Sequence, residues 1–427
     1  MALSSKYASL SLKHPIHLSK HLFSFCKDIY YTGKMVELMS FIVWEVAHVL
    51  KLNRRKKYLA FSSRTPHTVI EEGIIQRTSD PESLLHELEE TSADWLFCLI
   101  TPSLEYWCVS QREKHQLYHK TAGATQAKVV STFDEEIKSL YITQANVILI
   151  ASGGCIFRSN NQGISFQRVL QLSSPISWFL FNNGIAELPS GELFIGEYGS
   201  IWQQTRWQSL AYFYHSKDQG LTWQQIRSLH ERGVNKHVHV LKYSTLLQSL
   251  IMTDGDNHKK LWINSSLSCY DQLNRFKRNQ GWKMVTHLHL FKGGYTSMLD
   301  GSKRMFLGSD YMGGTNFLVS TTDGKRYQSL IIPDPYRRCP IMNMTYLKTA
   351  THTEIWASLF CGIGRSTKCL IMYTDDDGLN WHKFLEYDGS RYAIHLISHT
   401  EAQTGYLYLS VTSTEWSTYR VYKIRRS

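Results

Sequence analysis

Prolines are few, nine in 427 residues, and no apolar run reaches membrane-spanning length. A helix needs roughly 20 consecutive apolar residues to cross a bilayer core, so no transmembrane helix is predicted. The eight cysteines, at 26, 98, 108, 155, 269, 339, 361 and 369, form no CxxC pair and keep no regular spacing. That argues against a disulfide scaffold and against a thiolate metal site, and it predicts a reduced compartment. The opening MALSSKYASLSLKHPIHLSK lacks the continuous apolar core of a secretory signal, so a cytoplasmic location is expected. GxSxG, the phosphate loop and the dinucleotide fingerprint are also missing. Serine acyl transfer, nucleotide hydrolysis and nicotinamide chemistry are therefore not expected, nor is any cofactor.

Acidic residues are scarce at one end only. Residues 1–60 carry ten Lys/Arg against three Asp/Glu, whereas the rest of this +11 chain is nearly balanced. Basicity confined to one segment fits an anionic membrane surface at the inner face better than a nucleic-acid footprint, and no nucleic-acid partner is expected. Within that segment, KMVELMSFIVWEVAHVLKLNRRKK (34–57) has apolar residues at helical spacing, predicting an amphipathic helix over about 34–52 before Arg54, Arg55, Lys56 and Lys57. Such a helix either lies on a membrane or docks on its own domain. Residues 66–93 read as a helical connector, with Asp80 as cap and Pro81 at the first turn. Residues 1–93 thus form an N-terminal region, and 94–427 a second domain.

What is abundant is aromatic: 13% of residues, including 24 Tyr and 12 Trp. From about Asp94 short apolar runs alternate with Gly, Ser, Asn and Asp turns, the texture of a many-stranded antiparallel fold. One turn recurs. SNNQGISF, SKDQGLTW, STTDGKRY and TDDDGLNW each place Ser or Thr four residues before a glycine (Gly163, Gly220, Gly324, Gly378) and an aromatic three after it. The slot two before the glycine holds Asn161, Asp218, Thr322 and Asp376, and the aromatic slot includes Trp223 and Trp381. The long middle interval holds one further unit, with RNQGWKM and Trp282 as its remnant. Apolar strands ending near 101, 152, 197, 254, 309, 359 and 412 mark seven units of about 50 residues. The prediction is an all-β propeller of six or seven blades, seven favoured. Side-chain caps and a positive-φ glycine explain the repeated turn as architecture.

These turns resemble the Asp-box, or BNR repeat, of sialidases and sortilin-type receptors, over roughly residues 94–427. The resemblance implies that the boxes lie on the outer rim between third and fourth strands. It places the substrate face at the residues after each second strand and before each first strand. Carried onto this chain, that face holds Glu197, Tyr198, Asp254, Asp256, Asp310 and Tyr311, with Asn182, Asn183, His237, His239, Tyr295, Arg337, Arg338, Arg391 and Tyr392 opposite them. The implied function is a carbohydrate-active protein of glycosidase or lyase type acting on an acidic or surface glycan, expected as a monomer. Glu197, Asp254, Asp256, His237, His239, Asp310 and Tyr392 are the candidate proton-handling residues. Arg338 and Arg391, with Tyr198, Tyr295 and Tyr311, are the candidate substrate contacts. The sialidase Arg-Ile-Pro start is absent and the third arginine of its clamp has no counterpart, so sialidase activity itself is not expected. The competing reading is a non-catalytic propeller used as a binding or assembly platform.

Overall fold

Runs such as Ile148–Ser152 and Ser249–Asp254 are too short for stable helices and are buried at every position, so they pair on both edges inside sheets. The computed structural model describes residues 15–31, 35–52, 58–62, 66–76, 85–203, 206–231, 236–255, 260–273, 281–285, 294–362, 367–400 and 402–426. Their strands form seven blades round an axis, and the chain is a β-propeller. The first strands, Trp95–Ile100, Ile137–Ile142, Ile185–Glu187, Val238–Ser244, Gly294–Asp300, Ile341–Lys348 and Tyr392–Leu396, lie toward the axis, with Ser398–Thr400 added inside Trp95–Ile100, and the second and third strands of each blade pair outward from them. In five blades the first strand carries a β-bulge near its start against the second, as at Ile137/Ser139, Val238/Val240 and Tyr295/Ser297. A bulge bends the strand and re-aims the extra residue.

The repeated turns join third to fourth strands on the rim. In the best copy Gly220 N donates to Ser216 Oγ (2.8 Å), Thr222 N donates to Asp218 Oδ1 (2.9 Å), and Trp223 Nε1 closes the turn on Gly220 O (3.0 Å). Gly220 needs its positive φ of 82°, and a Cβ there would press on Leu149 of the preceding blade at 3.2 Å. Burial alone would raise the Asp218 carboxyl, but the hydrogen bonds it accepts hold it down to about 2. Asn161 and Asp376 repeat these contacts. The third copy corrects the sequence alignment by one residue. There Thr321 Oγ1 accepts from Gly324 N (2.9 Å) and Asp323, not Thr322, accepts from Lys325 N (2.8 Å). Trp282 fills the aromatic slot of the remnant turn, fully buried and donating to Tyr270 O at 2.9 Å.

Two expectations about the N-terminal region change. Where it is described the connector holds one short 3-10 turn, Glu71–Gly73, and otherwise strands: His67–Val69 adds parallel to the sixth blade's outer strand, and His86–Thr91 is the outermost strand of the seventh blade, antiparallel to Tyr419–Arg426. HELEET alternates with period two, and that pattern outweighed the helix-start signal before it, which lies outside the described residues. A boundary at 94 would therefore cut a blade apart. The apolar strand ending near 101 is the first of its blade, whereas the other six such strands are second strands. Helix α1 (Pro15–Tyr31) was not foreseen, while helix α2 (Met35–Val49) was.

Both chain ends meet on one carboxylate. Glu354, with no exposed surface, lies 2.8 Å from His86 Nε2, accepts from Trp356 Nε1 (2.9 Å) and pairs with Arg426. The His86 ring packs edge-on to Trp356 and Tyr373, centroids 5.0 and 4.6 Å away. Glu354→Leu strands His86 inside the protein and leaves Arg426 only Asp375, 3.6 Å away, and is expected to cost roughly 3–5 kcal/mol in urea unfolding. Glu415→Ala, which removes the solvent-exposed partner of Arg391, is expected to cost under about 1 kcal/mol.

Candidate functional site

Because strands alternate in direction, loops after second strands and before first strands share one face of the propeller. Four of the predicted residues converge there, between the third, fourth and fifth blades. His237 Nδ1 lies 2.5 Å from Gly199 O, His237 Nε2 lies 2.8 Å from His239 Nε2, and His239 Nδ1 lies 3.8 Å from Asp310 Oδ2. The Tyr198 ring covers His237 at 4.1 Å. His239 is the bulged residue between Val238 and Val240, which turns it toward His237 and Asp310. A carbonyl oxygen accepts only, so His237 Nδ1 carries a proton. The Nε2–Nε2 contact needs a proton on one of the two rings, and His239 Nδ1 lies on the Asp310 side. The pair can thus hold and pass one proton. Among the described residues no group of three His, Cys, Asp or Glu side chains could hold a metal ion.

The other described candidates are engaged in contacts within the chain. Glu197 has no exposed surface, accepts from Tyr214 OH (2.7 Å) and Ser173 N (3.3 Å), and passes its backbone on to Val238 N (2.9 Å). It ties three successive blades together. Asp254 is equally buried, taking the Lys260 N–H and Trp262 Nε1 (3.4 Å). Asp256 lies outside the described residues. Tyr295 is a core residue, its hydroxyl pushed up by burial. Tyr392 points away from the face and donates to Ile70 O (2.7 Å), anchoring the N-terminal segment, and Arg391 pairs with Glu415 at 2.7 Å. Tyr311 is held through its backbone by Asn316, which accepts from its N–H at 2.9 Å and donates to its carbonyl at 2.8 Å.

Arg338 is occupied by the chain itself. Glu45 of α2 takes Arg337 Nη1 at 2.6 Å and Arg338 Nη2 at 3.0 Å, and Arg338 Nη1 donates to Gly313 O (2.9 Å). Arg337 is 4% exposed and also reaches Thr315 and Asp334. Trp44 inserts beside Phe317, ring centroids 5.0 Å apart, and His48 meets Asp334 at 2.9 Å. Of the two sequence readings of this helix, docking on its own domain is the one observed. The sequence assigns Arg338 to a substrate anion because nothing in the local pattern ties it to a glutamate nearly 300 residues earlier.

Sequence reasoning also missed the axis. A cavity of about 290 Å³ opens on the side of the repeated turns, where Tyr141, Gln144, Glu187, Lys242, Tyr243 and His399 line it. Glu187 accepts from Tyr141 OH (3.1 Å) and Gln144 N (3.0 Å), yet burial outweighs those bonds and raises its carboxyl. Burial, then the Lys242 and Lys348 charges, push His399 down to about 3. A second hollow of about 400 Å³, on the other side, is bordered by Lys114, Lys138, His395 and Phe181. Phe181 borders both hollows and packs on Phe97 at 5.0 Å.

No protein-family model matches the sequence, and no curated protein matches it. Solved structures do. Virginiamycin B lyase from Staphylococcus aureus superposes with a TM-score of 0.50 at 12% identity, over 80% of this chain and 99% of that one. A chain of a mitotic checkpoint complex gives 0.50 at 9% identity, over 87% and 99%. A streptogramin B lyase gives 0.49 at 13%, over 80% and 97%. At such identities the likeness shows the fold.

The arginine clamp has a measurable consequence. Burial opposes ionisation of Glu45, but the hydrogen bond and charge of Arg337 win and hold its carboxyl below the ordinary 4.5. A carboxyl depressed in the folded state stabilises above its unfolded value and loses that contribution as pH falls through the folded one. Urea unfolding of the wild type should therefore weaken below about pH 4.5 more steeply than that of Glu45→Ala. At neutral pH the variant is expected to be about 2–3 kcal/mol less stable.

Proposed function

We propose that the chain is a binding propeller that recognises a glycan terminus in the axial cavity, rather than a glycosidase or polysaccharide lyase. The observation that carries this reading is the meeting of Glu187, Lys242 and His399 in one cavity, where the carboxyl is shifted toward its neutral form and the imidazole is kept neutral. Perturbed titratable groups in a concave site mark functional positions. A carboxyl and an imidazole shifted toward their neutral forms beside one ammonium, with Tyr141 and Tyr243 also lining the cavity, suit sugar hydroxyls and ring faces. The acids that glycoside chemistry would require, Glu197 and Asp254, are already engaged by Tyr214, Ser173, Lys260 and Trp262. Kinship with Asp-box propellers is part of this proposal, supported by the shared hydrogen bonding of the turns. The fold alone decides nothing, since one neighbour is a lyase and another belongs to a multiprotein complex.

A second reading rests on the His237–His239–Asp310 chain, which could move a proton for a lyase-type reaction. Glycan-array screening followed by calorimetry on the bound sugar separates the two. Lys242→Met is expected to weaken binding at least about tenfold, the scale of one lost charge-assisted hydrogen bond, with no product formed by the wild type. Unchanged affinity in Lys242→Met sinks the axial site. Turnover that disappears in His239→Asn establishes the second reading instead.

A further inference from the structure

Helix α2 is docked the wrong way round for a helix that merely completes a core. Its inner face holds Ser40 (1% exposed), Trp44 (7%) and the Glu45 clamp. Its outer face presents Met35, Met39, Ile42, Val43, Val46 and Leu50, each between 39% and 60% exposed. These positions follow the i, i+4, i+7, i+11 spacing of a single apolar stripe. An isolated helix of this composition would bury that stripe against its own domain. Here two arginines and a tryptophan hold the opposite side down, so the stripe faces outward. The packed helix α1 adds exposed Leu22, Phe23, Tyr30 and Tyr31. Contiguous exposed apolar surface of this kind marks an interaction site.

The sequence around the stripe decides the occupant. Residues 1–60 carry ten basic side chains against three acidic, Lys20, Lys27 and Lys51 among them exposed, and Arg54, Arg55, Lys56 and Lys57 follow the helix in sequence. Glu45, one of those three acids, is turned inward onto Arg337 and Arg338. Among the described residues no helix is long and apolar enough to cross a membrane. An outward apolar stripe set in a basic segment is the composition of a helix lying in the interface of an anionic bilayer. We infer that the outer face of α2 seats the propeller on an anionic membrane surface, its apolar side chains entering the headgroup boundary while the Glu45 clamp fixes the body behind it.

Co-sedimentation tests this with the full chain and vesicles of phosphatidylcholine alone or mixed with phosphatidylglycerol. The wild type is expected to pellet with the mixed vesicles, weakly with the neutral ones, and less as salt rises. Ile42→Asp/Val46→Asp, at exposed positions that leave the fold intact, should lower binding to mixed vesicles at least about tenfold, since each change removes inserted surface and adds a repelled charge. Ile164→Asp, at an exposed position on a rim turn, serves as the folded control and should bind like the wild type. Equal pelleting of the double variant and the wild type overturns the inference. So does a wild type that ignores vesicles and sediments as a dimer which the double variant dissolves, since a second copy of the chain would then cover the stripe. Glycan binding is measured without membranes, so failure of either proposal leaves the other standing.

Discussion

A ring of blades has one seam, and the rest of this molecule depends on how Glu354 closes it. Each blade packs mainly on its neighbours, so an open ring would leave two blade faces in water. The seventh blade is completed by His86–Thr91, from the far end of the sequence, laid on Tyr419–Arg426. Strand pairing alone could slip by two residues without exposing its apolar face. A buried carboxylate that must find His86 on one strand, Arg426 on the next and Trp356 beneath them admits one register. Closure continues at the axis, where Ser398–Thr400 runs parallel to Trp95–Ile100 and Cys98 N donates to Ile397 O at 2.8 Å. The seam is thus bonded at its rim and at its centre.

The ring's other contacts explain why conspicuous acids are buried and engaged within the chain. A propeller's second strands end where three blades approach, and backbone and hydroxyl donors there need acceptors out of reach of water. Glu197 and Asp254 supply them. The His237–His239 pair has a related origin. The bulge that aims His239 is the fourth blade's version of one repeated in other blades, so its geometry belongs first to the architecture, and any chemistry is added to it.

The repeats were legible because they are local. Gly163, Gly220, Gly324 and Gly378 each satisfy a turn within eight residues, and their recurrence carried the propeller and its blade number into view. The one misaligned copy, at Thr322, failed because Thr321 and Ser320 are equally good caps by composition and only backbone geometry selects between them. That Tyr198, His237, His239 and Asp310 share one face was legible. Side-chain direction was not, because whether a strand-end carboxylate meets solvent or a neighbouring blade is set by residues such as Tyr214 and Trp262 outside the motif. Glu187, Lys242 and His399 left no local signal at all, since three separate blades bring them together.

Helix α2 shows the same division between local pattern and distant partner. Its amphipathic spacing was plain, and a two-sided helix of this kind ordinarily hides its apolar side. The docked orientation reverses that because Arg337 is buried to 4% exposure and must have a carboxylate, and α2 supplies Glu45. Glu45 joins Asp334 on that guanidinium and reaches Arg338 as well, and Trp44 packs on Phe317 beside them, so the polar side of α2 makes its inward contacts. The electrostatic demand of the propeller therefore fixes which face of the helix looks outward. The sequence pattern determined what that face is made of.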